Sequence, residues 1–306
     1  MEKRCGTVAL IGAPNAGKST LLNALLGEKL APASNKPQTT RRVLRGVLTQ
    51  EENQFIFLDT PGMLKPAYEL QGYMQKQALA ALDGVDVILF IVDAEKSLRG
   101  KDEKSLEVLQ VIKRHVPSEQ PVVLVLNKLD ALKDRALLLP LMQEWKEKHP
   151  FQEIIPISAL RTKGIEELTT AIAKFLPKSE FIFSEDVLTD ASEKELVAEI
   201  VREKSMQHLG DEIPYQIAVT IDQFDETRRD DEKKQLVTIE AVIHVERESQ
   251  KAIVIGKAGS RLKEIGMKSR KDMQTLLGCQ VMLKLFVRVE PDWSKSPKAL
   301  RKLGYR

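Results

Sequence analysis

The sequence predicts an α/β domain built on a doubly wound, mostly parallel sheet, followed by a smaller α+β domain. Three observations support this fold class. Short apolar runs alternate with helical patterns in the first part of the chain, the order of elements then changes, and a glycine-rich loop joins the first strand to the first helix. A chain of 306 residues, 42% hydrophobic and 30% charged, is long enough to bury two cores.

The first region alternates strand and helix as expected for a sheet with helices on both faces. The predicted strands are 7–11, 42–48, 54–59, 85–92, 121–127 and 153–157. The predicted helices are 18–26, 70–82, 101–115, 134–148 and 164–175. Because ligands bind outside the carboxyl ends of such strands, we expect the functional residues in the loops that follow them.

The sequence GAPNAGKS at residues 12–19 has the spacing of a phosphate-binding loop, between an apolar run and a helical pattern. Glycines let this backbone curl so that N–H groups and the helix N-terminus surround phosphates. Lys18 is expected at the β- and γ-phosphates, and Ser19 at Mg²⁺. The alternative is a glycine turn with a surface lysine. The residues predicted to bind nucleotide here are Gly12, Pro14, Asn15, Ala16, Gly17, Lys18, Ser19 and Thr20.

The sequence DTPG at residues 59–62 ends an apolar strand. Beside a phosphate loop, Asp59 is expected to hold the Mg²⁺ of the nucleotide, and the N–H of Gly62 to contact a γ-phosphate. Thr60 belongs to the same predicted nucleotide-binding set. Met63 follows, where Ras-like switches carry a nearby glutamine that orients the attacking water. An apolar side chain there predicts slow intrinsic hydrolysis.

The sequence NKLD at residues 127–130 predicts that the base of the bound nucleotide is guanine. Asp130 can accept hydrogen bonds from N1–H and the exocyclic amino group of guanine, which adenine does not offer. Lys128 is expected to stack along the ring, and Asn127 to tie this loop to the phosphate loop. A strand-end turn with a capping aspartate is the alternative. A backbone N–H near guanine O6 is expected from three further residues, Ser158, Ala159 and Leu160.

The loop at residues 34–42 is polar and has few apolar residues to anchor it. Such a loop can become ordered on a triphosphate when a threonine hydroxyl binds Mg²⁺, and can relax when the γ-phosphate leaves. Thr39 and Thr40 are both candidates, and a β-turn region without a chemical role is the alternative.

The ordered series GAPNAGKS, PQTTR, DTPG, NKLD and SAL resembles the Era family of GTPases, within the translation-factor-related class of P-loop NTPases. The resemblance implies GTP and GDP as ligands and Mg²⁺ as cofactor, and it favours Thr40 over Thr39. The implied Mg²⁺ ligands are Ser19, Thr40 and Asp59. The residues implied in hydrolysis are Lys18, Thr40 and Gly62. It also implies a potassium ion held by Asn15.

Residues 178–190 are predicted to form an extended linker between a GTP-binding domain, 1–177, and a second domain, 191–306. The second domain is predicted to contain a helix at 192–209, strands at 215–224 and 235–245, helices at 250–255 and 259–277, and a strand at 280–289. This order does not continue the doubly wound sheet.

The sequence GKAG at residues 256–259 joins two helical patterns and resembles the GXXG loop of a type II KH domain, as found at the end of the Era family. Paired glycines let an RNA backbone approach closely, and helix N-termini favour phosphates. An ordinary helix-to-helix turn is the alternative. The predicted RNA-binding residues are Ile255, Gly256, Lys257, Ala258, Gly259, Arg261, Lys263, Lys268, Arg270 and Lys271.

The charge is distributed unevenly although the net charge is only +3. Residues 181–246 hold 7 basic and 17 acidic side chains, whereas residues 247–306 hold 15 basic and 5 acidic ones. A basic C-terminal segment indicates a polyanionic partner, and a solvated face is the alternative. Trp293 and Tyr305 in this segment are interpreted as packing anchors in preference to base-stacking partners. The two cysteines, Cys5 and Cys279, are interpreted as small buried hydrophobes of a protein in a reducing compartment.

The resemblance implies a GTP-hydrolysing switch that binds small-subunit ribosomal RNA near its 3′ end and acts in assembly of the small ribosomal subunit. We expect a cytoplasmic monomer without a transmembrane segment, with peripheral association at the inner face of the cell membrane as a further expectation. Two alternatives come from other classes. One is an RNA-binding scaffold in which GTP is structural, and the other is an ATP-dependent metabolic kinase, which the NKLD sequence disfavours.

Overall fold

The computed structural model describes residues 2–34, 36–63, 65–209, 213–229 and 235–305. The chain forms two compact units. The first comprises Met1–Pro66 and Met74–Asp190, and the second comprises Ala67–Tyr73 and Ala191–Arg306. Residues 178–190, predicted as a linker, therefore group with the first unit.

The elements before residue 191 alternate between strand and helix, as the hydrophobic periodicity predicts. In chain order they are β1 Arg4–Gly12, α1 Lys18–Leu26, β2 Leu44–Gln50, β3 Asn53–Asp59, α2 Glu69–Ala80, β4 Val87–Asp93, α3 Ala94–Leu98, α4 Glu103–His115, β5 Val122–Asn127, α5 Leu138–Lys148, β6 Glu153–Pro156 and α6 Ile165–Ala173. The short helix α3 was not predicted. It begins after Asp93, whose side chain accepts a hydrogen bond from the N–H of Lys96 and caps the first turn.

The six strands form one sheet in the order β2-β3-β1-β4-β5-β6. β2 runs antiparallel to β3, and the other neighbouring pairs are parallel. Asp93 at the end of β4 lies directly beside Asn127 at the end of β5. The carboxyl ends of the parallel strands therefore meet at one edge of the sheet, and the loops that follow them come together there.

Apolar side chains pack on both faces of this sheet. Leu89 and Ile91 of β4 belong to one core cluster, and Ile88 and Phe90 belong to the other. Every residue of β4 and of β5 is buried. Strands covered on both faces are almost continuously apolar, which explains the unbroken hydrophobic runs in the sequence.

Helix α5 begins at Leu138, four residues later than predicted. Asp134, the predicted start, instead caps the single 3₁₀ turn Arg135–Leu137, where its carboxylate accepts the N–H of Ala136 at 2.8 Å. An aspartate can cap either kind of helix, so the sequence alone did not fix which turn would begin at this point.

Residues 178–190 pack along the first unit and are anchored by Gln54, whose side chain is fully buried. The amide oxygen of Gln54 accepts the N–H groups of Ile182 and Phe183 at 2.9 and 3.0 Å, and its amide nitrogen donates to the Phe183 carbonyl at 2.8 Å. Further along, the N–H of Val47 in β2 donates to the Leu188 carbonyl at 2.8 Å. These bonds fix the segment against β2 and β3.

The second unit contains a three-stranded sheet and four α-helices among the described residues. Its elements are α7 Glu193–His208, β7 Ala218–Arg228, β8 Leu236–Val245, α8 Glu248–Ile255, α9 Ser260–Leu277, β9 Gln280–Val289 and α10 Pro297–Lys302. β8 lies in the middle, antiparallel to β7 and parallel to β9. Its core includes Val201 of α7, Ile239 and Ile243 of β8, and Ile265 and Met273 of α9.

The C-terminal aromatic residues are packing anchors, as predicted. Trp293 and Tyr305 are 0% and 5% exposed, and their rings stack with centroids 5.9 Å apart. The indole N–H of Trp293 donates to the carbonyl of Gln216. Cys5 is buried as predicted, and Cys279 is only partly buried. Across the described residues, no helix combines the length and apolar character needed to cross a membrane.

Replacing Gln54 with alanine tests the anchoring of residues 178–190. Loss of the side chain leaves the N–H groups of Ile182 and Phe183 without their acceptor, at a cost of about 1 to 3 kcal/mol. Hydrogen exchange at these two amides is expected to accelerate by roughly ten- to a hundredfold. The control is Gln143→Ala, because Gln143 lies on the exposed side of α5, where its amide donates to Glu147 of the same helix. Unchanged exchange in the Gln54 variant would show that the segment is held by its other contacts.

Candidate functional site

The loop at residues 12–19 leads from β1 into α1 and places a lysine beside its own backbone. Gly17 is the N-cap of α1 with a φ of 100°, and Asn15 has a φ of 64°. Lys18 is 6% exposed, and its ammonium donates to the carbonyls of Gly12 and Ala13 at 3.1 Å each. The loop therefore holds a cation at the N-terminus of a helix, an arrangement suited to phosphates.

Three oxygen-bearing side chains meet next to this lysine. The hydroxyls of Ser19 and Thr40 lie 2.7 Å apart. Both donate to Oδ2 of Asp59, at 2.7 and 3.3 Å. Oδ1 of Asp59 is buried and has no hydrogen-bond partner among the described residues. A carboxylate with one unpaired buried oxygen and two hydroxyls is a donor set that fits a hard divalent cation such as Mg²⁺.

Burial shifts the pKa values of the two charged groups in opposite directions. It lowers the pKa of Lys18 to about 8, and the charge of Asp59 opposes this shift. It raises the pKa of Asp59 to about 6, against the hydrogen bond from Ser19 and the charge of Lys18. At neutral pH both groups are still charged, so a carboxylate suited to a metal stands beside an ammonium suited to a phosphate.

The residues after Asp59 lie against the phosphate loop. Gly62 approaches so closely that an added Cβ would come within 2.9 Å of the Cα of Pro14. The hydroxyl of Thr60 donates to the Leu10 carbonyl at 2.7 Å, so this predicted nucleotide contact holds β1 and β3 together. Met63 is 6% exposed and packs in the apolar core. Its thioether is only a weak hydrogen-bond acceptor and has no donor, so it is poorly suited to orient a water.

The two threonines of the 34–42 loop are both buried but have different surroundings. The Thr39 hydroxyl donates to the Lys36 carbonyl and contacts the hydroxyl of Ser34, each at 2.7 Å. Thr40 instead meets Ser19 and Asp59. Of the two candidates, Thr40 is the one that the structure brings to the oxygen cluster.

One cleft gathers most of the predicted phosphate-binding residues. Its lining is Pro14, Asn15, Gly17, Lys18, Ser19, Thr20, Pro32, Ala33, Ser34, Lys36, Gln38, Thr39, Thr40 and Gly62. The residues between 32 and 38 were not predicted individually. Of these, Gln38 belongs to the PQTTR series, whereas the signal for the others was their place next to it in the sequence.

Asn127 connects the loops of the predicted base-binding region. Its amide nitrogen donates to the Ala16 carbonyl at 2.9 Å, and its oxygen accepts the N–H groups of Lys128 and Ala159 at 2.8 and 3.0 Å. One buried side chain therefore links the phosphate loop, the NKLD sequence and residues 158–160.

The remaining predicted base-binding side chains lie around this link. Ser158 is buried, and its hydroxyl donates to the carboxylate of Asp130, which is itself exposed. The ammonium of Lys128 donates to Asp93 at 2.7 Å. The side chain of Leu160 is 69% exposed. Asp93 was missed because it belongs to no motif, although it directly follows the predicted strand 85–92, where functional residues were expected.

The GKAG sequence forms a tight connection between α8 and α9 in the second unit. Gly256 and Gly259 have φ values of 73° and 76°, and Ala258 between them has a φ of 50°. A Cβ added at Gly256 would lie 2.8 Å from the side chain of Arg261. A Cβ added at Gly259 would have no atom within 4 Å. Lys257 is exposed. The loop presents backbone and one cation to the solvent.

A groove of about 420 Å³ runs from this loop between α9 and β9. It is lined by Gly259, Leu262, Lys263, Gly266, Met267, Arg270, Leu283 and Leu285. The α9 members recur at intervals of three or four, so they share one helix face. Met267 is 58% exposed. Basic groups border an apolar floor, which suits single-stranded bases with their phosphates outside.

The predicted RNA-binding residues do not all reach this groove. Lys263 and Arg270 line it, whereas the ammonium of Lys268 contacts Glu264 at 3.1 Å and His208 at 2.7 Å, beside α7. Arg261 donates to the Ile253 carbonyl. The individual residues of the apolar floor were not predicted, although the helical spacing of Leu262, Gly266 and Met267 carried that signal. The other predicted members, Ile255, Gly256, Lys257, Ala258 and Lys271, lie outside the lining.

Comparison with known proteins agrees with the two kinds of domain. A family model described as 50S ribosome-binding GTPase matches residues 7–128, and a KH domain model matches residues 212–294. The chain is 46% identical over 303 residues to GTPase Era of Pseudomonas fluorescens, an alignment that covers 99% of this chain and 97% of that protein. The chain belongs to the Era family of GTPases. It is therefore a GTPase, as the motifs predicted.

Other Era proteins extend this similarity. GTPase Era of Marinobacter nauticus is 44% identical over 304 residues, covering 99% of this chain and 95% of that one. The crystal structure of an Era variant from Aquifex aeolicus bound to GDP·AlF4⁻ matches with a TM-score of 0.91 and 42% identity, over 99% of both chains. A structure of Era with MgGDPNP and nucleotides 1506–1542 of 16S ribosomal RNA also matches with a TM-score of 0.91, at 41% identity over 99% of both chains. The Era fold, a mostly parallel α/β domain followed by a KH domain, confirms the predicted fold class.

The glycines at the two ends of α1 provide a matched test of the phosphate loop in this Era protein. Gly17 and Gly27 both have positive φ, but an added Cβ collides with the amide of Asn127 only at Gly17 and meets nothing within 4 Å at Gly27. Gly17→Ala is expected to displace the Asn127 side chain and break its hydrogen bond to the Ala16 carbonyl. Leaving that buried bond unmade costs about 1 to 3 kcal/mol, so GDP affinity should fall about 5- to 150-fold. Fluorescent GDP titration measures the affinity. An equal loss in Gly27→Ala would attribute the effect to backbone strain alone.

Proposed function

We propose that this protein is a GTP-driven switch that binds small-subunit ribosomal RNA near its 3′ end and acts in assembly of the small ribosomal subunit. One observation carries the proposal. A cluster of Ser19, Thr40 and Asp59 beside a buried lysine occurs in the same chain as a glycine-loop groove for single-stranded RNA. The similarity to Era bound to MgGDPNP and 16S ribosomal RNA supports the same pair of ligands here.

In the proposed hydrolysis site, Lys18 moves its hydrogen bonds from its own backbone to the β- and γ-phosphates. Ser19, Thr40 and Asp59 hold Mg²⁺, which when bound neutralises charge that develops on the phosphate oxygens. The N–H of Gly62 contacts the γ-phosphate, and loss of that phosphate releases both Gly62 and Thr40. Loss of the γ-phosphate therefore frees the 34–42 loop at the Thr40 hydroxyl.

Hydrolysis by the isolated protein is slow in this proposal. The attacking water needs a polar group for orientation, and Met63 is buried among apolar residues. A backbone group or the ribosomal partner has to orient the water. Lys18 and the metal site stabilise charge on the phosphates but leave this step incomplete.

In the proposed base site, Asp130 accepts the N1–H and the amino group of guanine. Ser158 orients the carboxylate of Asp130, and Lys128 covers one face of the ring. Asn127 keeps the base and phosphate ends at a fixed separation through its bond to Ala16. A hydrogen-bonding site of this kind rejects a base that lacks the matching donors, which excludes the adenine-specific kinase alternative.

In the proposed RNA site, the phosphates pass over Gly256 and Gly259 near Lys257. The bases enter the groove over Leu262, Met267 and Leu285, with Lys263 and Arg270 at its border. The alternative, a scaffold in which GTP is structural, differs from the switch in one measurable respect. Only a switch changes its RNA affinity when GTP is replaced by GDP.

Gly259→Asp tests the RNA site and the switch together. The matched control is Gly278→Asp at the other end of α9, since both glycines have positive φ and open space for a Cβ. With RNA of the small-subunit 3′ region, Gly259→Asp is expected to lower affinity at least about tenfold, because a negative charge opposes the phosphates. Gly278→Asp should bind normally, and GDP affinity should be unchanged in both.

The same titration with wild type distinguishes the two functions. RNA affinity is expected to differ between the GTP-analogue and GDP states, and to fall steeply with salt because phosphate contacts dominate it. Equal affinity in both nucleotide states would favour the scaffold, and salt-independent binding unaffected by Gly259→Asp would rule out the groove.

We also propose that Asn15 helps to hold a potassium ion beside the phosphates. Asn15 has a φ of 64°, so Asn15→Gly removes the side-chain amide without backbone strain, whereas Asn15→Asp keeps an oxygen ligand and adds a negative charge. GTP turnover of wild type is expected to be at least about tenfold faster in potassium than in sodium, below the 10³ to 10⁵ supplied by an arginine finger. The difference should disappear in Asn15→Gly. Turnover that is indifferent to the cation in wild type would contradict the potassium site.

A further inference from the structure

Asp93 lies outside every sequence motif and yet belongs to the edge of the sheet where the base-binding loops meet. It is the last residue of β4, directly beside Asn127 of β5. It is 4% exposed, although carboxylates are seldom buried without partners. Its contacts therefore explain why a charge is tolerated at this position.

The two carboxylate oxygens of Asp93 have different partners. Oδ2 accepts from the ammonium of Lys128 at 2.7 Å, and Oδ1 accepts from the N–H of Lys96 at 3.2 Å, which caps α3. The side-chain ammonium of Lys96 stands farther away, at 4.0 Å from Oδ2. Lys128 is therefore the cation that directly pairs with Asp93.

Lys128 is held at both of its ends. Its backbone has a φ of 68°, and its N–H donates to Oδ1 of Asn127 at 2.8 Å. Its ammonium is bound by Asp93, which lies on the neighbouring strand. Fixing both ends of a four-carbon side chain restricts the conformations of the methylene stem between them. The stem is the apolar part that can lie flat against an aromatic ring.

We propose that Asp93 is a positioning residue for guanine, acting through Lys128. This inference rests on the base site proposed above. Asp93 does not touch the nucleotide. It holds the Lys128 stem in the conformation that covers the base, so the ordering of a long side chain is already complete before the nucleotide binds.

Asp93→Ser separates this role from helix capping. Serine is a good N-cap, so α3 keeps its cap, but the shorter side chain cannot reach Lys128. GDP affinity is expected to fall about three- to tenfold, the effect of ordering one long side chain on binding. Lys96→Ala is the control, because it removes the more distant cation and leaves the backbone N–H that Asp93 binds. Its GDP affinity should stay within about twofold of wild type.

A double-mutant cycle tests whether the effect passes through Lys128. In a Lys128→Ala background, Asp93→Ser is expected to cause no further loss of GDP affinity. Additive losses would overturn the proposal, as would an unchanged affinity in Asp93→Ser alone. Asp93→Asn, which keeps the size and a hydrogen-bond acceptor but not the charge, should fall between wild type and Asp93→Ser. It also tests the proposal in a variant of nearly unchanged shape.

Base selectivity separates an effect that passes through Lys128 from one that passes through Asp130. Stacking by Lys128 does not depend on the exocyclic amino group, so Asp93→Ser should lower GDP and IDP affinity by the same factor. A changed GDP-to-IDP ratio would mean that Asp93 acts on Asp130 instead, and would overturn the proposal. Failure of the base site itself looks different. In that case Lys128→Ala would not lower GDP affinity. Asp130→Asn, whose new amide should favour the oxygen of xanthine over the amino group of guanine, would still prefer GTP over XTP.

Discussion

The hydrogen bonds of the Asn127 side chain hold the functional edge of the sheet together. Three loops that are far apart in sequence converge on this one buried amide, which donates to Ala16 and accepts from Lys128 and Ala159. A primary amide suits this place because it offers donors and an acceptor in one rigid plane. A carboxylate could not donate to Ala16, and a hydroxyl could not span the same distance. The separation between the phosphate and base ends is thereby set by one residue.

Close packing around the phosphate loop is the second constraint at this edge. A side chain at Gly12 would collide with the backbone carbonyl of Ile91 in β4, and one at Gly17 would collide with the side-chain amide of Asn127. Neither position leaves room for a Cβ. This explains the glycines at these two positions, in addition to the curvature that phosphate binding requires. The two glycines serve the packing of the sheet edge as much as the ligand.

The sequence was most informative where several signals agreed. Apart from the short helices α3 and α10, the order of strands and helices in both units follows from hydrophobic periodicity. The motifs placed Lys18, Ser19, Asp59 and Asn127 at one edge. Asp93, which carries no motif, required the register between β4 and β5. Leu283 and Leu285 line the groove beside the GKAG loop because β9 packs against α9, which periodicity cannot give. Lys268 was predicted from charge alone, and a glutamate and a histidine engage it instead.

The segment at residues 178–190 has a consequence for how the first unit behaves in solution. β2 is an outer strand of the sheet, and outer strands expose backbone groups that can pair with another molecule. The carbonyl of Leu188 accepts the N–H of Val47, and the hydroxyl of Thr189 donates to the carbonyl of Arg45. The chain thus shields its own sheet edge. A proteolytic fragment that ended at residue 177 would expose that edge and invite strand-to-strand association, even though every nucleotide-binding motif would still be present.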